Sequence, residues 1–520
     1  MAFEMLAPVM FAGLVVMLLI GYPVAFALCA VGLLFGIIGI AVGALEPALL
    51  QALPERVLGI MGNSTLLAIP FFTFMGMILE RSGMAEDLLD TIGQLFGSLR
   101  GGLGYAVVFV GALLAATTGV VAASVLAMGL ISLPVMMRYG YSHRLSTGVI
   151  AASGTLAQII PPSLVLIILA DQMGASVGDF YEGALIPGLA LAGSYAFYVF
   201  IVSIFKPESA PGCPPEHRTL FGGKLAMKVI TATIPPLVLI FLVLGTIFLG
   251  VATPTEGGAM GATGAIVMAL AKRKLSWSLL KQAVESTATM TSFVMFILVG
   301  STVFSLVFRG VDGDRWVEHL LTSLPGGPLG FLIVVNILIF LLAFFLDYFE
   351  IAFIMVPLLT PVAHTLGIDI VWFGVLLAVN MQTSFLHPPF GFALFYLRSV
   401  APPVIRTWDI YWGAVPFVCI QVLMIAAIIA FPGMVTGNIS AAAGAIKGSG
   451  ADELRRQLGG GAPAAPAPKG GGAARPAEDS GSELERLLRQ QGQGSSGPPA
   501  EEKAPEDPAA ELERQLRGQK

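Results

Sequence analysis

Charge is what this chain has least of. Only 12% of its 520 residues are Asp, Glu, Lys or Arg, about half the share of an ordinary soluble protein. The shortage is also uneven. Seventeen of the 28 Lys and Arg lie in residues 1–432 and 11 in the last 88. The first 432 residues are therefore too apolar to form soluble domains. This excludes a soluble enzyme, a nucleic-acid binder and a secreted disulfide scaffold. The net charge of −5 is small for a chain of 520 residues and decides nothing. Cysteine is scarce too. Cys29, Cys213 and Cys419 show no CxxC spacing, so neither a zinc site nor a disulfide framework is expected. Cys29 and Cys419 sit in apolar runs, where Cys behaves as a small hydrophobe. The first apolar run, Leu6–Ile20, lacks a basic leader and an A-x-A exit, which reads as a retained helix and not a signal peptide.

Catalytic and nucleotide motifs are equally thin. Gly174-Ala175-Ser176-Val177-Gly178 has the G-x-S-x-G form, but no strand precedes it and no triad is evident. Gly101-Gly102-Leu103-Gly104 lacks the Lys-Ser/Thr of a phosphate-binding loop, and no HExxH occurs. An enzyme is not expected, nor is a resident cofactor or metal. Any transport must draw on an ion gradient or on the substrate's own gradient.

What the chain does have is long apolar segments, with 56% hydrophobic residues overall. A spanning helix needs about 20 of them. Spans are expected at 5–20, 23–42, 57–79, 145–170, 181–205, 229–250, 254–271, 284–308, 370–397 and 409–431. Residues 103–138 and 330–365 differ. Each holds two arms of about 16 residues, or about 24 Å of helix, around a small or polar tip at 115–119 or 346–350. Both read as re-entrant hairpins, with two tightly joined spans as the alternative. With an outside N-terminus, the inside loops of this ten-span layout hold fourteen basic residues. The outside loops hold three: Arg56, Arg309 and Arg315. That is a strong positive-inside bias.

A weak internal repeat runs at an offset of 227. Pro134-Val135 aligns with Pro361-Val362, Gly140 with Gly367, and Pro161-Pro162 with Pro388-Pro389. Residues 1–205 and 229–432 would then be equivalent halves joined by a cytoplasmic loop, 206–228. Each half has five spans and one hairpin. Five is odd, so the second half is inverted, as in many secondary transporters. The expected fold is an all-α polytopic membrane protein of two inverted repeats.

The polar residues inside these segments gather at the double prolines. Proline frees carbonyls one turn back, and broken backbone is tolerated in a membrane only where it is buried or lines a cavity. Ser153-Gly154-Thr155 and Gln158 precede the first break. Asn380 and Gln382-Thr383-Ser384 precede the second. Neutral oxygens of this kind suit a hard cation such as Na⁺, with helix–helix hydrogen bonding as the alternative role. The first hairpin tip adds Thr117, Thr118, Gly119 and Ser124. The second adds Asp347 and Glu350, and an acid at membrane depth is a functional candidate by default. Asp347 reads as a cation ligand or proton carrier, with a salt bridge or helix cap as the alternative. The candidate cation ligands are Thr118, Gly119, Ser153, Thr155, Asp347, Asn380, Gln382 and Thr383. The candidate substrate contacts are Thr117, Ser124, Pro162 and Pro389. Glu256 follows Thr253-Pro254 and reads equally as a cap. His387 reads as a buried hydrogen-bonding residue before it reads as a proton relay.

Together these segments resemble a known family. Leu67-Ala68-Ile69-Pro70-Phe71-Phe72 with Gly76, Leu133-Pro134-Val135-Met136-Met137 with Gly140-Tyr141, and Ile159-Ile160-Pro161-Pro162-Ser163 carry the likeness. So do Ala252-Thr253-Pro254-Thr255-Glu256, Pro357-Leu358-Leu359-Thr360-Pro361 and the run 380–397. Over residues 2–432 the chain resembles the large, DctM-type membrane subunit of tripartite ATP-independent periplasmic (TRAP) transporters. The resemblance implies an elevator-type importer in the bacterial inner membrane, coupled to Na⁺ with H⁺ as the alternative. It implies three kinds of partner: a small four-helix membrane subunit, a periplasmic solute-binding protein, and an organic acid substrate in a lipid membrane. The family's Ser-Gly-Ser at the first tip is replaced here by Thr117-Thr118-Gly119, and its Thr-Pro-Pro by His387-Pro388-Pro389. The stretch 344–356 is similar to the branch associated with α-keto acids. A single-component elevator-type Na⁺/carboxylate symporter is the alternative function.

The likeness stops before the tail. Residues 433–520 are rich in Ala, Gly, Pro and charge and are expected to be disordered. Three short helical repeats begin there at Asp452, Glu483 and Glu511. The ten-span layout puts this tail outside.

Overall fold

The chain's computed structural model describes residues 5–118, 121–214, 216, 221–344, 346–389, 391–437 and 439. Nearly all of the expected tail, including its three short repeats, lies outside the described residues. The described regular structure is helical throughout. The first half runs α1 (Leu6–Leu19), α2 (Val24–Ala41), α3 (Ala48–Gln51), α4 (Leu53–Met61), α5 (Ala68–Arg81) and α6 (Met84–Phe96). It continues with α7 (Gly102–Thr118), α8 (Val121–Arg138), α9 (His143–Thr155), α10 (Leu164–Met173) and α11 (Val177–Phe205). The second half runs α12 (Gly222–Phe248), α13 (Pro254–Ala271), α14 (Trp277–Gly310), α15 (Gly313–Thr322) and α16 (Gly327–Leu342). It ends with α17 (Tyr348–Ile354), α18 (Val356–Thr365), α19 (Ile370–Gln382), α20 (Phe392–Val400) and α21 (Thr407–Ala430). Six of these helices are long and apolar enough to cross a membrane, or up to nine if each of three bent pairs is one span.

Side chains fix where the helices start. The Ser142 hydroxyl accepts from Leu145 N at the head of α9, and the Asp369 carboxylate accepts from Trp372 N at the head of α19. Such caps satisfy amides that have no partner inside the helix. Ser176 caps α11 by accepting from Asp179 N, so the G-x-S-x-G stretch is a helix start. Thr253 and Glu256 form a capping box at the head of α13, which gives Glu256 its structural role.

The helix pattern recurs along the chain. α9 and α19 have 13 residues each, and both their ends lie 227 positions apart. Each continues into a tight three-residue turn, 156–158 or 383–385. Gly140 and Gly367 take left-handed backbone (φ +81° and +68°) in the turns before them. α8 recurs as the bent pair α17–α18, whose last residue, Thr365, is the counterpart of Arg138.

Four expectations need correction. The span 57–79 is two helices bent by 50° around Gly62-Asn63. Asn63 Oδ1 accepts from Thr65 N at 2.9 Å, a local bond that competes with helix continuation. The segments 84–96 and 313–322, left as loops, are amphipathic helices. α6 buries Leu88, Leu89 and Ile92, while its Asp90 pairs with Lys228 at 2.8 Å. The hairpin arms α7 and α8 have 17 and 18 residues, longer than expected, because Ala115–Thr118 of the supposed tip is helical. The tail does not begin at 433 either. Residues 433–437 are helical, and Val435 is fully buried.

The core lies around the two broken helices. Every residue from Leu145 to Thr155 of α9 and from Phe373 to Gln382 of α19 is buried. Close approach makes this possible. A Cβ at Gly148 would stand 2.1 Å from the Gly413 carbonyl oxygen, and one at Gly154 would stand 2.4 Å from Val125. α21 and α8 thus press directly onto the backbone of α9.

Candidate functional site

Each double proline follows one of these core helices; Pro161-Pro162 is buried, whereas Pro388 is half-buried and Pro389 exposed. After α9 and its tight turn, Pro161-Pro162 carries a cis peptide bond and α10 begins at Leu164. After α19 and its turn, Pro388-Pro389 is also cis and α20 begins at Phe392. Ser163 stabilises the first break by donating to the Gln158 carbonyl at 2.5 Å. At the second, Gly391 N donates to the His387 carbonyl at 2.7 Å. A Cβ at Gly391 would meet the Phe385 carbonyl oxygen at 2.6 Å, so the turn needs glycine there.

The polar side chains of the two breaks meet. Gln382 Nε2 donates to Thr155 Oγ1 at 3.0 Å, joining residues 227 positions apart. Thr155 Oγ1 in turn donates to the Ala152 carbonyl at 2.8 Å. Beside them, Tyr195 Oη accepts from Gln421 Nε2 at 2.9 Å. The Gln382–Thr155 bond therefore ties the two broken helices together. Asn380 Nδ2 donates to Asn336 Oδ1 at 2.9 Å and to the Asn336 carbonyl at 2.8 Å. Thr383 Oγ1 donates to the Asn380 carbonyl at 2.6 Å.

These bonds leave acceptors over. Ser153 Oγ, Gln158 Oε1, Asn380 Oδ1, Gln382 Oε1 and Ser384 Oγ are buried with no hydrogen-bond partner. A buried polar group left unpaired costs about 1–3 kcal/mol. Among the described residues these are five neutral oxygens without partners, close in sequence to the two helix breaks, and oxygens of this chemistry suit a hard monovalent cation. Of the eight expected cation ligands, Ser153, Asn380 and Gln382 have such a free oxygen. The hydroxyls of Thr155 and Thr383 are engaged, and the side chain of Thr118 and all of Gly119 lie outside the described residues.

The second hairpin tip is held differently. Asp347 is the N-cap of α17. Its Oδ1 accepts from Tyr348 N at 2.6 Å, and Glu350 Oε2 accepts from Asp347 N at 3.0 Å. This capping box is the cap alternative expected for Asp347. Both residues also face a cavity of about 640 Å³. Three helices begin on its wall, α10 at Leu164, α17 at Tyr348 and α20 at Phe392, and Val121-Ala122 of α8 lie beside them. α14 closes it with Glu285, Ser286, Thr289, Met290 and Phe293, and Tyr396 adds a phenol. Helix starts present N–H groups and the positive end of the helix dipole. The described lining also holds three carboxylates, Glu285, Asp347 and Glu350, and no Lys or Arg, and the amides of Asp347 and Tyr348 are already taken by the cap.

Of the four expected substrate contacts, Ser124 and Pro162 are buried and do not line this cavity. Pro389 is exposed and accepts from Tyr411 Oη at 3.2 Å. The side chain of Thr117 lies outside the described residues. His387 departs from its expected hydrogen-bonding role. It is buried, and neither ring nitrogen has a partner. Its ring lies 4.2 Å from Phe340 and 4.4 Å from Phe344, centroid to centroid. Sequence reading missed Asn336, a lone polar residue in an apolar run, and every α14 residue on the cavity wall.

The chain matches known proteins over the same region. The family model described as "Tripartite ATP-independent periplasmic transporter, DctM component" matches residues 11–434. The C4-dicarboxylate TRAP transporter large permease protein DctM of Pseudomonas aeruginosa is 31% identical over 68% of this chain and 82% of its own length. The protein of that name from Vibrio cholerae is 28% identical over 80% and 93%. Sialic acid TRAP transporter large permease SiaM of Vibrio cholerae is 26% identical over 80% and 94%. Among solved structures, the Alcanivorax borkumensis YdaH transporter shares the fold. Its TM-score is 0.53 at 14% identity, over 75% of this chain and 90% of that one. A multi-pass helical membrane protein with this match belongs to the DctM family, the large permease components of TRAP transporters.

Proposed function

We propose that this chain carries a small organic acid into the bacterial cell as the membrane permease of a secondary transporter coupled to Na⁺. In this reading a periplasmic binding protein delivers the acid and a small membrane subunit braces the permease. The observation that carries the substrate class is the match to the DctM family over residues 11–434. The cavity of about 640 Å³ is within the size range of small-molecule pockets. The relatives named for C4-dicarboxylate and sialic acid support an acidic substrate. The five free oxygens at the breaks support a cation site separate from the anion, the pairing that coupled transport requires.

The two halves are read as inverted repeats that share one pseudo-twofold axis. The bond between Thr155 and Gln382 supports this, since equivalent residues touch only on such an axis. An elevator motion of the broken-helix core against α12–α14 follows from the same reading. The test is reconstitution in proteoliposomes with the cognate binding protein and small subunit. The expected result is uptake of the binding protein's ligand only when all three components and inward Na⁺ are present. Uptake by this chain alone, with no binding protein, would favour a single-component symporter instead.

A further inference from the structure

A second and larger cavity, about 1300 Å³, lies on the far side of the first break, between α7, α11 and α12. Its lining is almost wholly apolar. Ala112 and Leu113 of α7, Ala192 of α11 and Leu237 of α12 are representative. The lining has no acid and one cation, Arg100, with Ser98 beside it. Arg100 is exposed and makes no hydrogen bond or ion pair among the described residues. At the opposite end the crevice reaches Ala116 and Pro161. From the start of α7 to Ala116 is about 21 Å of helix, enough to run from a headgroup region past one leaflet of a ~30 Å core. The crevice opens sideways, since Phe109, Leu189 and Phe241 on its rim are 42%, 56% and 71% exposed.

Below Arg100 the described lining offers a transported acid no cationic partner, so a carboxylate drawn in that far would lose its water with little in return. The shape and chemistry are those of a lipid: an apolar slot one leaflet deep, open to the bilayer, with a single unpaired cation at its mouth. We propose that this crevice is a specific site for an anionic glycerophospholipid. Its acyl chains lie between α7, α11 and α12, and its phosphate rests on Arg100. Basic pockets between membrane helices are known to hold such headgroups.

The experiment uses the full chain in proteoliposomes containing a phosphatidylglycerol with a diazirine in its acyl chain. Crosslinked peptides are mapped by mass spectrometry. Labelling is expected on α7 and α11, competed by unlabelled phosphatidylglycerol and poorly by phosphatidylcholine. Arg100→Gln should reduce that headgroup preference about fivefold, the effect of one cation near an anionic lipid. Gly193→Phe places a ring in the crevice, where a Cβ meets nothing within 4 Å. It should remove the α7 and α11 labelling and leave labelling at exposed Leu423 of α21 unchanged. The proposal is overturned by α7 and α11 labelling no stronger than at Leu423. Equal competition by the two lipids also overturns it, as does displacement by inorganic phosphate or by an organic acid.

Discussion

Thr155→Val tests whether the two broken helices are tied through their polar ends. Valine keeps the shape of threonine and removes Oγ1, the acceptor for Gln382 Nε2 at 3.0 Å. Both residues are fully buried, so the Gln382 amide is left without water or partner. Its free Oε1 already lacks one. The cost is the lost bond plus the desolvated donor, about 1–3 kcal/mol. A second variant, Gln382→Leu, removes the donor. Replacing both partners by apolar groups is far cheaper than orphaning one, so Thr155→Val/Gln382→Leu should cost less than the sum of the singles by about 0.5–3 kcal/mol. Scaled to a chain of this size, 1 kcal/mol is about 1–2 °C of melting temperature. The assay is thermal unfolding of the purified protein in detergent. A single-variant drop of about 2–4 °C with partial recovery in the double variant is the expected result. A Thr155→Val protein that melts like the parent, or two singles that simply add, would refute the reasoning.

Asp347→Asn keeps a good helix cap and removes the charge, so stability should hold, whereas Asp347→Ala should cost about 0.5–2 kcal/mol in the same melt. If Asp347→Asn also keeps Na⁺-dependent uptake, the negative charge of Asp347 is not needed for coupling. Gly148→Leu should destabilise by about 1–3 kcal/mol through overpacking against the Gly413 carbonyl. Gly59→Ala, in a helix with open space around it, should be neutral or stabilising by up to about 1 kcal/mol. His387→Phe replaces a buried ring with two unpartnered nitrogens by one that needs none. Its melting temperature should be unchanged or higher, and a loss of uptake in that stable variant would place a ligand on the imidazole.

Much of this was legible because the decisive signals are local. Pro161-Pro162 and Pro388-Pro389 break helices wherever they occur, and the polar residues just before them are visible in an apolar background. Pro, Gly and cap residues carry their conformational meaning without tertiary context. What stayed hidden needed three dimensions. α6 and α15 are too polar to read as spans, and their helical stripe is short. At the bend the Asn63 side chain makes two hydrogen bonds, accepting from Thr65 N and donating to Asp171 Oδ1, 108 residues away, against a continuous apolar pattern. Asn336 acquires its meaning only from Asn380, 44 residues away. The α14 side of the cavity comes from residues 285–293, which look like any half-polar stretch in sequence. The last stretch of packed chain was missed because Val435 follows a Pro-Gly pair, and only its burial reveals it as core. His387 was misjudged because a histidine beside two prolines reads as polar chemistry, while its nearest neighbours are phenylalanines.

The most direct test of ion-coupled carriage is accumulation of radiolabelled ligand in proteoliposomes holding this chain and its small subunit, with loaded binding protein outside. An inward Na⁺ gradient should drive the ligand above its equilibrium level, and replacing Na⁺ by choline at equal osmolarity should abolish accumulation. Ser153→Ala and Ser384→Ala, each removing a free buried oxygen, should raise the Na⁺ concentration needed for half-maximal rate. Accumulation that persists in choline, or a Na⁺ dependence untouched by both substitutions, would contradict the account.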